Sequence, residues 1–168
     1  MELWDVYDAQ RKLTGRTHRR GVPMQPGEYH LIVFVWIFNS AGQLLLTKRS
    51  PEKESYPNLW ETTGGAVIAG ESSREAIVRE LREETGILAA PEEFVFLDSV
   101  RGKSWISDTY ALCRDVPLSQ IAFQPGETCG ARWVNRAVFE RMIEAGEVTQ
   151  PDVQRFRALA HIFREYLK

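Results

Sequence analysis

The sequence predicts an α/β protein, with helices flanking a mixed β-sheet and a β-hairpin at the N-terminus. Three observations carry this. Tyr29 to Phe38 is a run of β-branched and aromatic residues of central-strand character. Ser72 to Gly86 has helical periodicity between a start and a stop signal. From Pro151 onward, Phe156, Leu159, Ala160, Phe163 and Leu167 form the apolar face of an amphipathic C-terminal helix.

The elements follow in chain order. Leu3 to Val6 and Leu13 to Thr17 pair as a hairpin around Asp8–Lys12. Asn39–Ser40–Ala41–Gly42 is a turn, and Gln43 to Lys48 is the strand returning from it. Ser50 to Asn58 is a polar loop containing Pro51 and Pro57, and Trp60 to Thr63 is a short strand. Ser72 with Glu75 three residues on is a capping box that opens a helix. Ala76, Ile77 and Leu81 give that helix a stripe to lay on a sheet, and Gly86 suits the left-handed conformation that ends it. Phe94 to Arg101 and Trp105 to Arg114 form a second hairpin across Gly102–Lys103. Ala131 to Val134 is a last strand. Asn135 caps a helix that Gly146 ends, and Pro151 suits the first turn of the final helix.

The 168 residues suffice for one domain with a sizeable core. Hydrophobic residues make up 43% and charged residues 26%, the proportions of a soluble globular protein. The net charge of −2 gives no global field for nucleic acid, and the basic residues between Arg11 and Arg20 read as a solvated hairpin. The N-terminal MELWDVYDAQRKLTG lacks the apolar centre of a secretion signal. The longest apolar run, Leu31 to Phe38, is too short to span a bilayer. Cys113 and Cys129 lack metal-ligand spacing and read as reduced thiols of a cytoplasmic protein.

The chemistry concentrates in Gly65 to Ile87, GAVIAGESSREAIVRELREETGI. Glu80, Glu83 and Glu84 are three and four residues apart, so they share one helix face. Like charges at that spacing cost a helix about 0.2–0.5 kcal/mol per pair. Such a cluster makes sense around hard cations such as Mg²⁺, which take one or two carboxylates and complete their shell with waters and phosphates. Arg79 is four before Glu83 and could pair with it, or reach Glu71 across the loop and hold the acidic site in shape.

This stretch resembles the Nudix box, G-x5-E-x7-R-E-U-x-E-E-x-G-U with U aliphatic. Gly65, Glu71, Arg79, Glu80, Leu81, Glu83, Glu84, Gly86 and Ile87 fill every fixed position. At average residue usage the coincidence is on the order of 10⁻¹⁰ to 10⁻⁹ per starting position, so chance is set aside. The resemblance implies a Nudix α/β/α sandwich over residues 1–168 as a single domain, residues 1–28 being a hairpin extension and 65–87 the box. It also implies a pyrophosphohydrolase. Water attacks a phosphorus of a nucleoside diphosphate derivative, with Mg²⁺ (or Mn²⁺ in its place) held by Glu80, Glu83, Glu84 and the Gly65 carbonyl. Glu80 or Glu83 takes the proton.

Glu127, six residues before Trp133 in GETCGARWV, resembles the loop glutamate that often enters a Nudix metal site, as ligand or as base. Lys48 and Arg49, at a strand end, could hold the diphosphate, Arg offering a planar fork for phosphate oxygens. Trp105 is a base-stacking or a core residue. The implied partner is a small diphosphate compound, with no nucleic-acid polymer and no membrane. The N-terminal hairpin offers an edge for a homodimer.

Outside the box, HLIVFVWIFNSAGQLLLTKRS from His30 to Ser50 resembles the branch that includes isopentenyl diphosphate isomerase. That enzyme needs a cysteine just before the box glycine and a metal-binding histidine just after it. Here Gly64 and Ala66 stand in those places, so isomerisation is not expected. His30 matches one isomerase metal ligand, but without its partner histidines it reads as a core or supporting residue. A nucleotide-binding module that no longer cuts is the other alternative, and the intact carboxylates argue against it.

Overall fold

The computed structural model describes residues 2–168. Among the described residues, nine strands and four α-helices follow one another as β1 (Leu3–Tyr7), β2 (Leu13–Arg19), β3 (His30–Phe38), β4 (Leu44–Arg49), β5 (Trp60–Glu61), β6 (Thr63–Ala66), α1 (Ser73–Thr85), β7 (Val95–Arg101), β8 (Trp105–Cys113), β9 (Thr128–Val134), α2 (Arg136–Glu144), α3 (Gln150–Ala158) and α4 (Ala160–Phe163). β1 and β2 form their own two-stranded sheet. The other strands hydrogen-bond in the order β5-β4-β3-β8-β7, with β6 on β3 and β9 on β4. The expected α/β class with a mixed sheet and an N-terminal hairpin is what forms.

The chain packs as two compact units, and β3, α1 and β8 each run from one into the other. The first comprises the chain up to Val35 with Gly64–Glu80 and Ala89–Ala111. Its core is built from Val33, Val35, Val67, Ala76, Ile77, Phe94 and Tyr110, all buried. The hairpin is fastened here by backbone bonds, Tyr7 exchanging with Tyr29 and Ala69 N donating to Leu3 O. The second unit comprises Trp36–Thr63, Leu81–Leu88 and Leu112–Lys168. Its centre is Trp36, whose indole stacks on Phe163 at 4.4 Å and meets Phe139 edge-on at 5.9 Å.

Two elements differ from expectation. The strand read from Trp60 to Thr63 breaks at Thr62, whose N–H and hydroxyl both donate to the buried Asp152 rather than to a neighbouring strand. The chain then resumes as β6, so Gly64 and Gly65 lie inside a strand. The C-terminal helix is divided as well. Leu159, at φ −100 and ψ 12, leaves helical geometry between α3 and α4. Phe163 still reaches Trp36, and the Lys168 N–H reaches the Gly42 carbonyl at 2.8 Å.

Candidate active site

Helix α1 starts and stops as its sequence dictates. The Ser72 N–H and hydroxyl both donate to the Glu75 carboxylate, at 2.8 and 2.7 Å, and these bonds hold the Glu75 carboxyl below its ordinary value. Ala76, Ile77 and Leu81 are wholly buried. Gly86 takes φ 72 and donates to the Arg82 carbonyl. With the apolar stripe fixed inward, Glu80, Glu83 and Glu84 follow on the next turns.

In the first unit Arg79 organises the acidic residues. Its Nε and Nη2 donate to the two Glu71 oxygens at 2.8 and 2.9 Å, and its Nη1 donates to Glu80 Oε1 at 2.8 Å. Nη2 also reaches the Ala66 carbonyl at 3.0 Å, so one guanidinium gathers both ends of the loop between β6 and α1. The Glu71 hydrogen bonds outweigh burial and push the Arg79 pKa up, so it stays charged. The pairing with Glu71 that the spacing leaves open is made.

Two glycines make room for this. A Cβ on Gly65 would lie 2.3–2.6 Å from the Glu80 carboxylate atoms, so only a bare backbone fits against that carboxylate. A Cβ on Gly64 would lie 2.3 Å from the Val33 carbonyl oxygen and 2.5 Å from the Phe34 ring. The position where the isomerase pattern needs its cysteine is therefore closed by neighbouring backbone.

In the second unit Glu83 is exposed and Glu84 buried, on the last turns of α1. The Thr128 hydroxyl donates to the Glu84 carbonyl at 3.2 Å, which ties the segment carrying Glu127 to that end of the box helix. The Glu127 carboxylate pairs with Lys53, and its carbonyl accepts from the Ser50 N–H at 2.8 Å. The residue lies 40% exposed and already held by the loop that Lys53 belongs to.

Lys48 and Arg49 are consecutive in β4 and so face opposite sides of the sheet. The Lys48 ammonium lies 5.8 Å from the Trp60 ring centre. Arg49 Nη1 donates to both Glu61 oxygens at 2.8 Å and Nε to the Ser55 carbonyl at 2.9 Å. Burial pushes the Glu61 carboxyl up to about 7 against the pull of Arg49. Trp105 lies over Gly102 of its own hairpin, where a Cβ would meet the indole at 2.3 Å. His30 stacks on Trp4 at 4.0 Å, and burial lowers its pKa.

Lys53, Glu61 and Asp152 were not singled out in the sequence. Lys53 and Glu127 are 74 residues apart, and no local pattern links residues at that separation. Among the described residues no three His, Cys, Asp or Glu side chains converge as a ready ligand set. The fit to a hard divalent cation rests on donor chemistry, carboxylates on successive turns of α1, and on the bare Gly65 backbone against Glu80.

Comparison with known proteins agrees with this geometry. A family model described as NUDIX domain matches residues 28–153. An uncharacterised Nudix hydrolase of Listeria monocytogenes is 38% identical over 148 residues, covering 88% of each chain. An isopentenyl-diphosphate Delta-isomerase of Escherichia coli is 34% identical over 94 residues, covering 55% of this chain and 52% of that one. Among solved structures, the crystal structure of DR0079 from Deinococcus radiodurans aligns with a TM-score of 0.75 at 26% identity, over 99% of this chain and all of that one. With the family model spanning most of its length and a Nudix hydrolase relative 38% identical over 88% of each chain, the chain belongs to the Nudix family and is one of its hydrolases.

Proposed function

We propose that this chain is a Mg²⁺-dependent pyrophosphohydrolase, with Mn²⁺ able to substitute. It cleaves the diphosphate linkage of a nucleoside diphosphate derivative by attack of water at phosphorus. The observation that carries the reading is the Arg79 clamp on Glu71 and Glu80 beside the bare Gly65 backbone. Glu80, Glu83, Glu84 and the Gly65 carbonyl are the proposed ligands. When bound, the cation supplies charge neutralisation at the phosphoryl oxygens and a lowered pKa for bound water. Arg79 acts on geometry, keeping the Glu80 carboxylate aimed and the Glu71 loop closed.

Glu127 is proposed as a further ligand or as the proton acceptor, since Thr128 holds its segment against the turn of Glu84. Lys53 pairs with its carboxylate and holds it in place. Glu80 and Glu83 are the other candidates for the base. Arg49 keeps Nη2 for a phosphate oxygen while Nη1 and Nε stay on Glu61 and Ser55. Lys48 and Trp105 are proposed as the remaining substrate contacts. The same reading takes the chain as one cytoplasmic Nudix domain acting on a small molecule, the exposed strand β2 being the edge for a homodimer. No helix among the described residues is long and apolar enough to cross a membrane.

The test is turnover of a panel of nucleoside diphosphate derivatives in ¹⁸O-water, with phosphatase-coupled phosphate release. Label should enter the phosphate ester product, and turnover should need Mg²⁺ or Mn²⁺. Undiminished turnover under complete chelation, or label confined to a carbon-bound hydroxyl, overturns the reading.

A further inference from the structure

A cavity of about 460 Å³ opens beside the first turn of α1, lined entirely by the first unit. Asp108, 1% exposed, lies at its base. Arg11 donates to the two Asp108 oxygens at 2.6 and 2.5 Å, Ser73 at 2.5 Å and Ser99 at 2.8 Å. One guanidinium is thereby fixed in the wall, although Arg11 has to adopt φ 61, which is uncommon outside glycine. A second guanidinium, that of Arg74, lies 5.6 Å from the Tyr110 ring centre. Its Nη1 is anchored on the Pro91 and Phe94 carbonyls at 2.6 and 2.8 Å.

These bonds leave donors open. Arg74 Nε and Nη2 and Arg11 Nε make no hydrogen bond among the described residues. Arg74 also sits in the first turn of α1, where a cation opposes the helix dipole by about 0.3–1 kcal/mol. An anion there reverses that sign. Beside the two cations the wall carries Phe96, edge-on to Tyr110 at 5.7 Å and 48% exposed, a large apolar ring that the chain does not cover. Anchored guanidiniums with open donors next to a bare aromatic face suit a planar aromatic anion, and the volume suits a small ligand.

We propose that this groove binds a nucleoside 5′-monophosphate, with its phosphate on the open donors of Arg74 and Arg11 and its base against Phe96. The groove lies at the opposite end of α1 from Glu83 and Glu84. Ser73 opens α1 and Glu83 lies about 15 Å further along its axis at 1.5 Å per residue. Because Ser73 belongs to both the groove and α1, a ligand held there bears on the helix that carries Arg79 to Glu84.

The experiment is calorimetric titration of the full chain with adenosine 5′-monophosphate in chelator, where no metal brings phosphate to the box. Saturable binding is expected. It should weaken at least tenfold in Phe96→Ala and in Arg74→Gln, persist in Phe96→Tyr, and be unchanged in Glu83→Gln. Inorganic phosphate and adenosine should each bind at least tenfold more weakly than the nucleotide. Should one groove variant fail to fold, the other carries the comparison. Absence of saturable binding to the folded wild type, affinity indifferent to both groove variants, loss in Glu83→Gln, or inorganic phosphate binding as well as the nucleotide each overturns the proposal. The titration involves no turnover, so its outcome is independent of the hydrolase reading.

Discussion

At the scale of single residues, the environments separate carboxylates that look alike in the sequence. Glu83 is exposed on α1 and is a proposed metal ligand, so Glu83→Gln should lower kcat by about two orders of magnitude, the size of losing one electrostatic stabiliser. Tm should hold or rise slightly, because a like-charge neighbour is removed. Wild-type turnover in this variant would take Glu83 out of the metal site. Glu127→Gln should cut kcat with little change in KM, the pattern of an interaction made mainly in the transition state. Equal loss of affinity and rate would instead make Glu127 a binding residue.

Glu61 behaves differently because it is buried beside Arg49, with its pKa raised from 4.5 to about 7. Between those values the native state holds more protons than the unfolded one, so stability falls as pH rises. The contribution is full below about 4.5 and is lost through about 7. Thermal melts of wild type and Glu61→Gln between pH 5 and pH 8 should show wild type losing ground to the variant as pH rises. Parallel curves would mean that Glu61 is ionised throughout.

At the scale of elements, α3 is fastened by a polar cluster rather than by its apolar face alone. Asp152 is 2% exposed and accepts from the Thr62 N–H and hydroxyl, the Thr149 hydroxyl and Arg155 Nη1, all at 2.8–3.0 Å. Burial lowers the Arg155 pKa, which means that the cation there depends on its partner. Asp152→Ala removes a carboxylate from beside that buried charge and frees the break between β5 and β6. It should cost about 3–5 kcal/mol, the usual penalty for removing one partner of a buried pair. Chemical denaturation would measure it, and a cost near 1 kcal/mol would show that water replaces Asp152.

For the molecule as a whole, likeness to the isomerase covers about half the chain. The protein should fail to interconvert isopentenyl and dimethylallyl diphosphate. Val33 and Phe34 of β3 occupy the space a side chain at position 64 would need, so restoring a thiol by Gly64→Cys should lower Tm without creating the activity. Deuterium exchange into either diphosphate by the wild type would overturn this.

Much of this protein was legible in its sequence because the information is local. The capping box at Ser72, the stop at Gly86, the Asn135 cap (which accepts from the Val138 N–H at 2.9 Å) and the box spacing depend on neighbours within a few residues. So do the strand periods and the hairpin across Gly102. The tertiary structure decided what depends on distant partners. It brought Glu71 to Arg79, Glu61 to Arg49 and Lys53 to Glu127, and it joined Asp108 to Arg11 across 97 residues. It also placed Gly64 and Gly65 in a strand and divided the C-terminal helix at Leu159. Propensity and spacing act through the backbone of one segment. The partner of a charged side chain is set by which segments packing brings within hydrogen-bond reach, and that is a property of the folded chain alone.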